Sequence, residues 1–310
     1  MPTIIEVDPI HRALATLTPG DPVRHGTLTV VPLLGPEAEE PGWLTLAEAG
    51  EAVTVTEVSE AGAVPFLKVA NGADRPVLLL DGEELVGAKQ NRVLNTTVLV
   101  AARSTVVIPV TCVEQGRWAY RSHRFSGADT SLFASLRAKK AARVSAAVRE
   151  TGQHLSDQGD VWQDLAGRAR TYKVESPTGA MHAVYERYAA DVAAARSALS
   201  ARPGQVGALV FLGDQWAGLD LLASPGLFAT AWPRLCAGYA ADAIGSPEIG
   251  TPAEGPEAVL ARLTATPIEP APPVGLGQEF RLVGREVLGA ALVMDDRLAH
   301  LAAFPTGGAN

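Results

Sequence analysis

Two clusters of hydrogen-bonding and charged side chains interrupt the apolar run of residues 76–118. The first holds Glu83, Glu84, Lys89, Gln90, Asn91, Arg92 and Asn95, the second Glu114, Gln115, Arg117 and Trp118. Buried polar groups without partners cost roughly 1–3 kcal/mol each. Such density implies a shared network or a ligand, unless the residues form the polar outer face that antiparallel sheets commonly carry. The side-chain types suit a nucleotide-like ligand. Arg92 and Arg117 match phosphate through paired N–H donors, and Gln90, Asn91 and Gln115 can read a base or an amide. Lys89 and Asn95 complete the binding set, and Trp118 can stack on an aromatic ring. Glu84 and Glu114 can hold ribose hydroxyls and are the candidate catalytic acid or base. An arginine beside them keeps a carboxylate ionised, whereas burial raises its pKa.

Other chemistry finds little support. The chain has no phosphate-binding Walker loop, no G-x-S-x-G elbow and no H-E-x-x-H pair, and VGLGQEF lacks the third glycine of a dinucleotide fingerprint. Six histidines lie scattered without ligand spacing, so no metal and no cofactor is expected. Cys112, at the end of the IPVT run, reads as a buried inert thiol. Arg137, Lys139, Lys140 and Arg143 read as a solvated helix face, with phosphate binding as the rival. Gln158, Asp160 and Trp162 fall at a helix amino terminus, where they serve either the cap and core or a pocket.

The elements that must position these residues are legible from hydrophobic period. Runs such as TLTVVPL, AVTVTEV, VPFLKVA and TVVIPV alternate or stay apolar over five to seven residues between Gly, Pro, Asp and Asn. They predict an antiparallel β-sandwich or barrel-like core. Residues 129–150, rich in Ala, Leu, Arg and Lys, predict a helix capped by Asp129 or Thr130. Further helices are expected near Asp157, after Ser176-Pro177 and after Ser224-Pro225, the last kinked or interrupted at Pro233. The SPEIGTPAEGPEAV segment reads as a linker or long loop. Three strands close the chain, with Asp295-Asp296 turning between the last two. Gly82–Gly87, Gly213–Gly218 and Gly284–Gly289 share a Gly-x-x-apolar-x-Gly pattern that suits a tight hairpin. The expected fold is α+β: a β-rich part (1–125), a helical insertion (126–202) and a mixed part (203–310) whose β-hairpins complete the sheet, all in one compact domain.

Composition bounds the partners. With 47% hydrophobic and 19% charged residues, the 310-residue chain is globular; a net charge of −8 excludes a nucleic-acid surface. Two distant cysteines suggest neither a disulfide framework nor a zinc site. The start MPTIIEVDPIHRAL has no basic flank and apolar core of a leader, and no run approaches ~18 apolar residues, so a cytoplasmic protein free of membrane is expected.

The run LLLDGEELVGAKQNRVLNTTVLV, followed by STVVIPVTCVEQGRW, resembles the bacterial family named for its association with ADP-ribosylglycohydrolases and rhodanese-phosphatase proteins. LRAKK, QGDVW and LVFLGDQWAGLDLLASPGLF are similar to further blocks of that family. The resemblance implies a role in NAD or ADP-ribose metabolism and carries no catalytic residue with it. The leading expectation is binding, with or without processing, of an NAD- or ADP-ribose-derived nucleotide. Any reaction would be carboxylate-dependent hydrolysis or transfer at a ribosyl carbon. A non-catalytic partner or scaffold of an ADP-ribosylglycohydrolase-type pathway is the second expectation, and a carbohydrate-binding or sugar-processing β fold the third.

Overall fold

Six strands wrap into a closed antiparallel barrel: Val53–Glu57, Phe66–Asn71, Glu83–Gly87, Arg92–Leu94, Ser104–Cys112 and Phe125–Ser131. The computed structural model describes residues 8–37, 39–246 and 250–309. Side chains alternate between the two faces of each strand, so Val55, Leu67, Val69, Leu85, Leu94, Ile108 and Val110 pack together inside. The closure is uneven, because Phe125–Ser131 meets Val53–Glu57 only at Phe125 opposite Val55. A cleft of about 600 Å³ fills the resulting wedge, with Arg124, Asp129 and Arg234 on its walls. Beside the barrel, Leu44–Thr45, Val77–Leu79 and Val98–Val100 make a small three-stranded sheet.

The second large layer is a nine-stranded sheet. Its Leu28–Leu34 strand pairs antiparallel with Gln205–Leu212, Val31 opposite Leu209, and so joins segments on either side of the helical stretch. Gln215–Leu222, Arg297–Pro305, Val287–Met294, Gln278–Val283 and Ile268–Ala271 follow in order across the sheet. The architecture is the expected α+β arrangement: a barrel core, a helical insertion and a C-terminal return of hairpins. Asp295 and Asp296 form the expected turn, both with positive φ. Of the three glycine motifs, those at Gly213 and Gly284 link adjacent paired strands. The Gly82 motif does not, since Val77–Leu79 pairs with Val98–Val100 instead.

Local corrections have physical causes. Asp129 and Thr130 lie in a barrel strand, and the helix begins five residues later as Ala134–Thr151. Its first turn is capped from a distance, where Asp242 accepts the Ser135 N–H at 2.7 Å. Asp157, not Asp160, caps the Gln158–Thr171 helix. Ser176-Pro177 opens no helix, although Ser176 Oγ accepts the Ala180 N–H; helices follow at His182–Arg187 and Ala189–Ala198. The Pro225–Ala243 helix, capped by Ser224, runs through Pro233 uninterrupted because apolar burial on almost every side outweighs one missing N–H. Part of the expected linker is a helix, Pro256–Thr264, anchored by buried Val259 and Leu263. Residues 247–249 of that linker lie outside the described residues, as does the 1–7 segment on which the leader expectation rests.

The basic cluster on Ala134–Thr151 splits in two. Lys139 and Arg143 pair with Asp164 on the neighbouring helix. Arg137 and Lys140, read from sequence as a solvated or phosphate-binding face, are instead sealed between the barrel and the large sheet. Arg137 grips Asp220 with two N–H donors at 2.7 and 2.9 Å. Asp220 also accepts from Tyr239 Oη at 2.8 Å and lies 3.3 Å from His300 Nε2. Lys140 is bonded to Asp81 and to the Leu94 and Asn95 carbonyls. Burial pushes the Asp220 carboxyl up, but Arg137 and His300 outweigh it and hold it well below the usual range. Gly82 makes room for this network, since a Cβ there would lie 2.9 Å from the Arg137 side chain.

Candidate functional site

One end of the barrel carries a polar set where its inward-facing rows would otherwise continue with Val and Leu. Period-two alternation places Glu57 in line with Val55, Arg92 with Leu94 and Cys112 with Val110, and Arg92 stands directly opposite Cys112. Glu57 was missed in the sequence, although its place at the inward parity of AVTVTEV was a usable signal. All three are buried. Arg92 Nη1 donates to the Gln90 backbone carbonyl at 3.0 Å and to Gln90 Oε1 at 3.2 Å. Its Nε and Nη2 are buried without a hydrogen-bond partner, as are both carboxylate oxygens of Glu57. Burial pulls the Arg92 guanidinium below its ordinary range, and Cys112 and Glu57 pull it back up. The Cys112 thiol points to Gln90 Oε1 at 3.0 Å, and burial raises its pKa.

Loops from three directions cover this end. The 88–91 hairpin begins with Gly87, where a Cβ would come within 2.7 Å of the Arg124 carbonyl and Ser122 Oγ, and then Ala88 at φ +36°. A non-glycine residue there stores strain that the surrounding bonds must hold. The 58–65 loop lies across the opening. Lys89 Nζ donates to the Glu60 and Ala61 carbonyls at 2.6 and 2.8 Å, and Tyr120 Oη to the Glu60 carbonyl at 3.3 Å. A Cβ on Gly62 would lie 3.3 Å from the Trp118 ring and 3.4 Å from Glu57 Oε2, so loop, ring and carboxylate surround one spot. Lys89 and Arg92 lie against the Trp118 ring, at 5.3 and 5.7 Å from its centroid, yet Trp118 is 47% exposed.

Glu114 does a different job. It accepts from the Asn91 N–H at 3.1 Å, from Arg117 Nη2 at 2.6 Å and from Thr178 Oγ1 at 2.9 Å. Arg117 also donates to Asn91 Oδ1 and to the Ala88, Gly87 and Ala119 carbonyls. The two polar clusters therefore meet through Asn91, Glu114 and Arg117, and this contact is a latch with little left for a ligand. Burial pushes the Glu114 carboxyl up, but its three donors outweigh that and leave it below the ordinary value. Its stabilising contribution is then fully present above the unfolded carboxylate pKa, about 4.3, and is lost as pH falls through the lower folded value. Glu114→Gln is expected to lower stability by about 1–3 kcal/mol at pH 7. The gap to the parent protein should narrow in urea titrations as pH falls below the unfolded carboxylate value.

Two expected residues stand apart. Glu84 faces outward from the barrel wall, accepting from Thr130 Oγ1 at 2.5 Å and lying 3.1 Å from His182 Nδ1, whose pKa the carboxylate raises. Asn95 bonds the His154 carbonyl and Thr111. Gln115 is exposed and, with Trp162, borders a cleft of about 350 Å³ lined mainly by apolar side chains such as Phe133, Leu165 and Met181. Gln158 extends the barrel edge by pairing its amide with both backbone groups of Cys112, at 2.9 and 2.7 Å. Among the described residues, no group of three His, Cys, Asp or Glu can hold a metal ion, and no helix is long and apolar enough to cross a membrane.

The model of the family described as ARG and Rhodanese-Phosphatase-superfamily-associated Protein domain matches residues 16–304, which span the barrel and almost all of the large sheet. The chain belongs to that family. Its name links the family to ADP-ribosylglycohydrolases. No curated protein and no solved structure matches the chain.

Proposed function

We propose that the mouth of the barrel binds a nucleotide of the NAD or ADP-ribose class. The observation that carries this reading is Arg92: a fully buried guanidinium with two donors unused by the protein. A cation left so is costly, and a ligand that accepts those hydrogen bonds removes the cost. Trp118, half exposed beside Arg92, offers an aromatic surface for stacking. Arg121, whose backbone N–H donates to the Ala88 carbonyl at 2.9 Å, brings a further positive charge close to the mouth for phosphate. Arg117, committed to Glu114, leaves the phosphate set proposed from sequence, and Glu57, with both oxygens free, replaces Glu114, whose oxygens are taken, and Glu84, which keeps one free oxygen but faces away from the mouth. The internal pairing of Glu114 with Arg117 favours the scaffold alternative for that segment alone.

Entry to Arg92 requires the 58–65 loop to lift from Lys89 and Tyr120. Calorimetric titration with ADP-ribose and NAD, combined with hydrogen exchange, tests the proposal. Saturable binding with added protection of residues 58–65 is expected, and at a hundredfold excess over Kd the ligand should stabilise the fold by about 2.7 kcal/mol. Absence of heat and of any thermal shift with both ligands would remove the reading.

A further inference from the structure

The charge and hydrogen-bond inventory beneath the 58–65 loop narrows what such a ligand must present. Arg92 Nη1 is taken by Gln90, which leaves Nε and Nη2, the two donors on the side-on edge of the guanidinium. That edge takes oxygen or aromatic nitrogen acceptors lying in its plane. Glu57 supplies the opposite: two acceptor oxygens, buried and unused, on a strand end facing the same interior. The two side chains act on each other electrostatically but form no direct ion pair. A phosphate or carboxylate seated on Arg92 would leave Glu57 without a donor and place a second negative charge near it. A purely apolar ring would leave both unsatisfied.

Resting on the nucleotide reading above, we infer that Glu57 and Arg92 read a neutral planar amide edge, its carbonyl toward Arg92 and its N–H toward Glu57, with the ring of Trp118 alongside. Two sources supply that chemistry. A guanine lactam presents O6 and N7 to an arginine fork and N1–H with the amino group to a carboxylate, which engages all four free atoms. A nicotinamide carboxamide presents one oxygen and one amino group. A nicotinate carboxylate and a bare ribose do not present this edge, and adenine presents only a ring nitrogen beside its amino group, without the carbonyl. Specificity of this kind is strong because the wrong ligand strands buried polar groups.

The test is calorimetry on the full chain with matched pairs: NAD against its nicotinic acid analogue, and guanosine monophosphate against adenosine monophosphate, with ADP-ribose as the amide-free reference. At least one amide-bearing member is expected to bind tenfold or more tightly than its counterpart, and the pair that discriminates identifies the source. Glu57→Gln, which keeps shape but removes the charge and adds a donor, should shrink that ratio, chiefly by admitting the nicotinic acid form in the NAD pair. Equal affinity within both pairs, or ADP-ribose as tight as the amide ligands, overturns the inference while leaving nucleotide binding intact. If no compound binds, the nucleotide reading itself fails. Should Glu57→Gln not fold, the matched pairs on the parent protein still decide.

Discussion

Asp220→Ala loses about 3–5 kcal/mol of unfolding free energy in urea titration, the range for removing one partner of a buried ion pair. The mechanism is the stranding of Arg137, whose two terminal nitrogens both bond Asp220 and whose side chain is almost completely buried. Tyr239 and His300 lose their shared acceptor in the same step. The double change Asp220→Leu with Arg137→Met recovers much of the loss, because two apolar groups of similar volume need no partners. A loss below about 1 kcal/mol for Asp220→Ala would mean that the network adds little to stability. The effect is global because the Arg137 helix touches the large sheet through Asp220 and the barrel side through Asp81.

Arg92→Met has the opposite signature. It should weaken nucleotide binding by about 2–5 kcal/mol, the cost of truncating one side of a buried charge-assisted contact, while stability changes by less than about 1 kcal/mol or rises. Arg92 carries desolvation in the unliganded fold without full compensation, and methionine fills a similar volume without that burden. Calorimetry and urea titration on the same preparation separate the outcomes. If Arg92→Met unfolds the protein as Asp220→Ala weakens it, Arg92 belongs to the structural networks and the barrel mouth loses its best argument. The contrast is usable because both arginines are buried to the same degree and differ chiefly in whether their donors are occupied.

How far the chain announced these networks depends on the range of the interactions. Strand runs and the two polar clusters themselves were legible because their signals are local: period-two alternation, turn residues and side-chain type; that the clusters meet, through Asn91 and Glu114 23 residues apart, only the fold shows. Arg137 and Lys140 were illegible as core, because helical spacing shows that they share a face but not what covers it. Their partners Asp81 and Asp220 lie 56 to 83 residues away. The Ala134–Thr151 start was misplaced for the same reason, its cap arriving from Asp242 across 107 residues. Glu57 was hidden differently. Its parity pointed inward, but a lone carboxylate at a strand end usually faces water, and only the 58–65 loop folding back over it makes it buried. Glu84 shows the converse, since its neighbour Leu85 holds the inward position and sends Glu84 to the helices.

The pairing of Leu28–Leu34 with Gln205–Leu212 has a consequence for biosynthesis. A nascent chain leaving the ribosome exposes the first strand on the order of ten to forty seconds before the second emerges, at the usual rate of translation. The barrel, complete by Ser131, can condense during that interval. The waiting segment LTVVPLL is apolar and β-prone, the kind of stretch that recruits foreign strands. Pro32 at its centre denies one N–H to any such intruder and acts as a gatekeeper, whereas the native neighbour Gln205–Leu212 is already shaped around it, with Ala208 opposite. Pro32→Val should therefore cost soluble yield during expression more than it costs the finished fold.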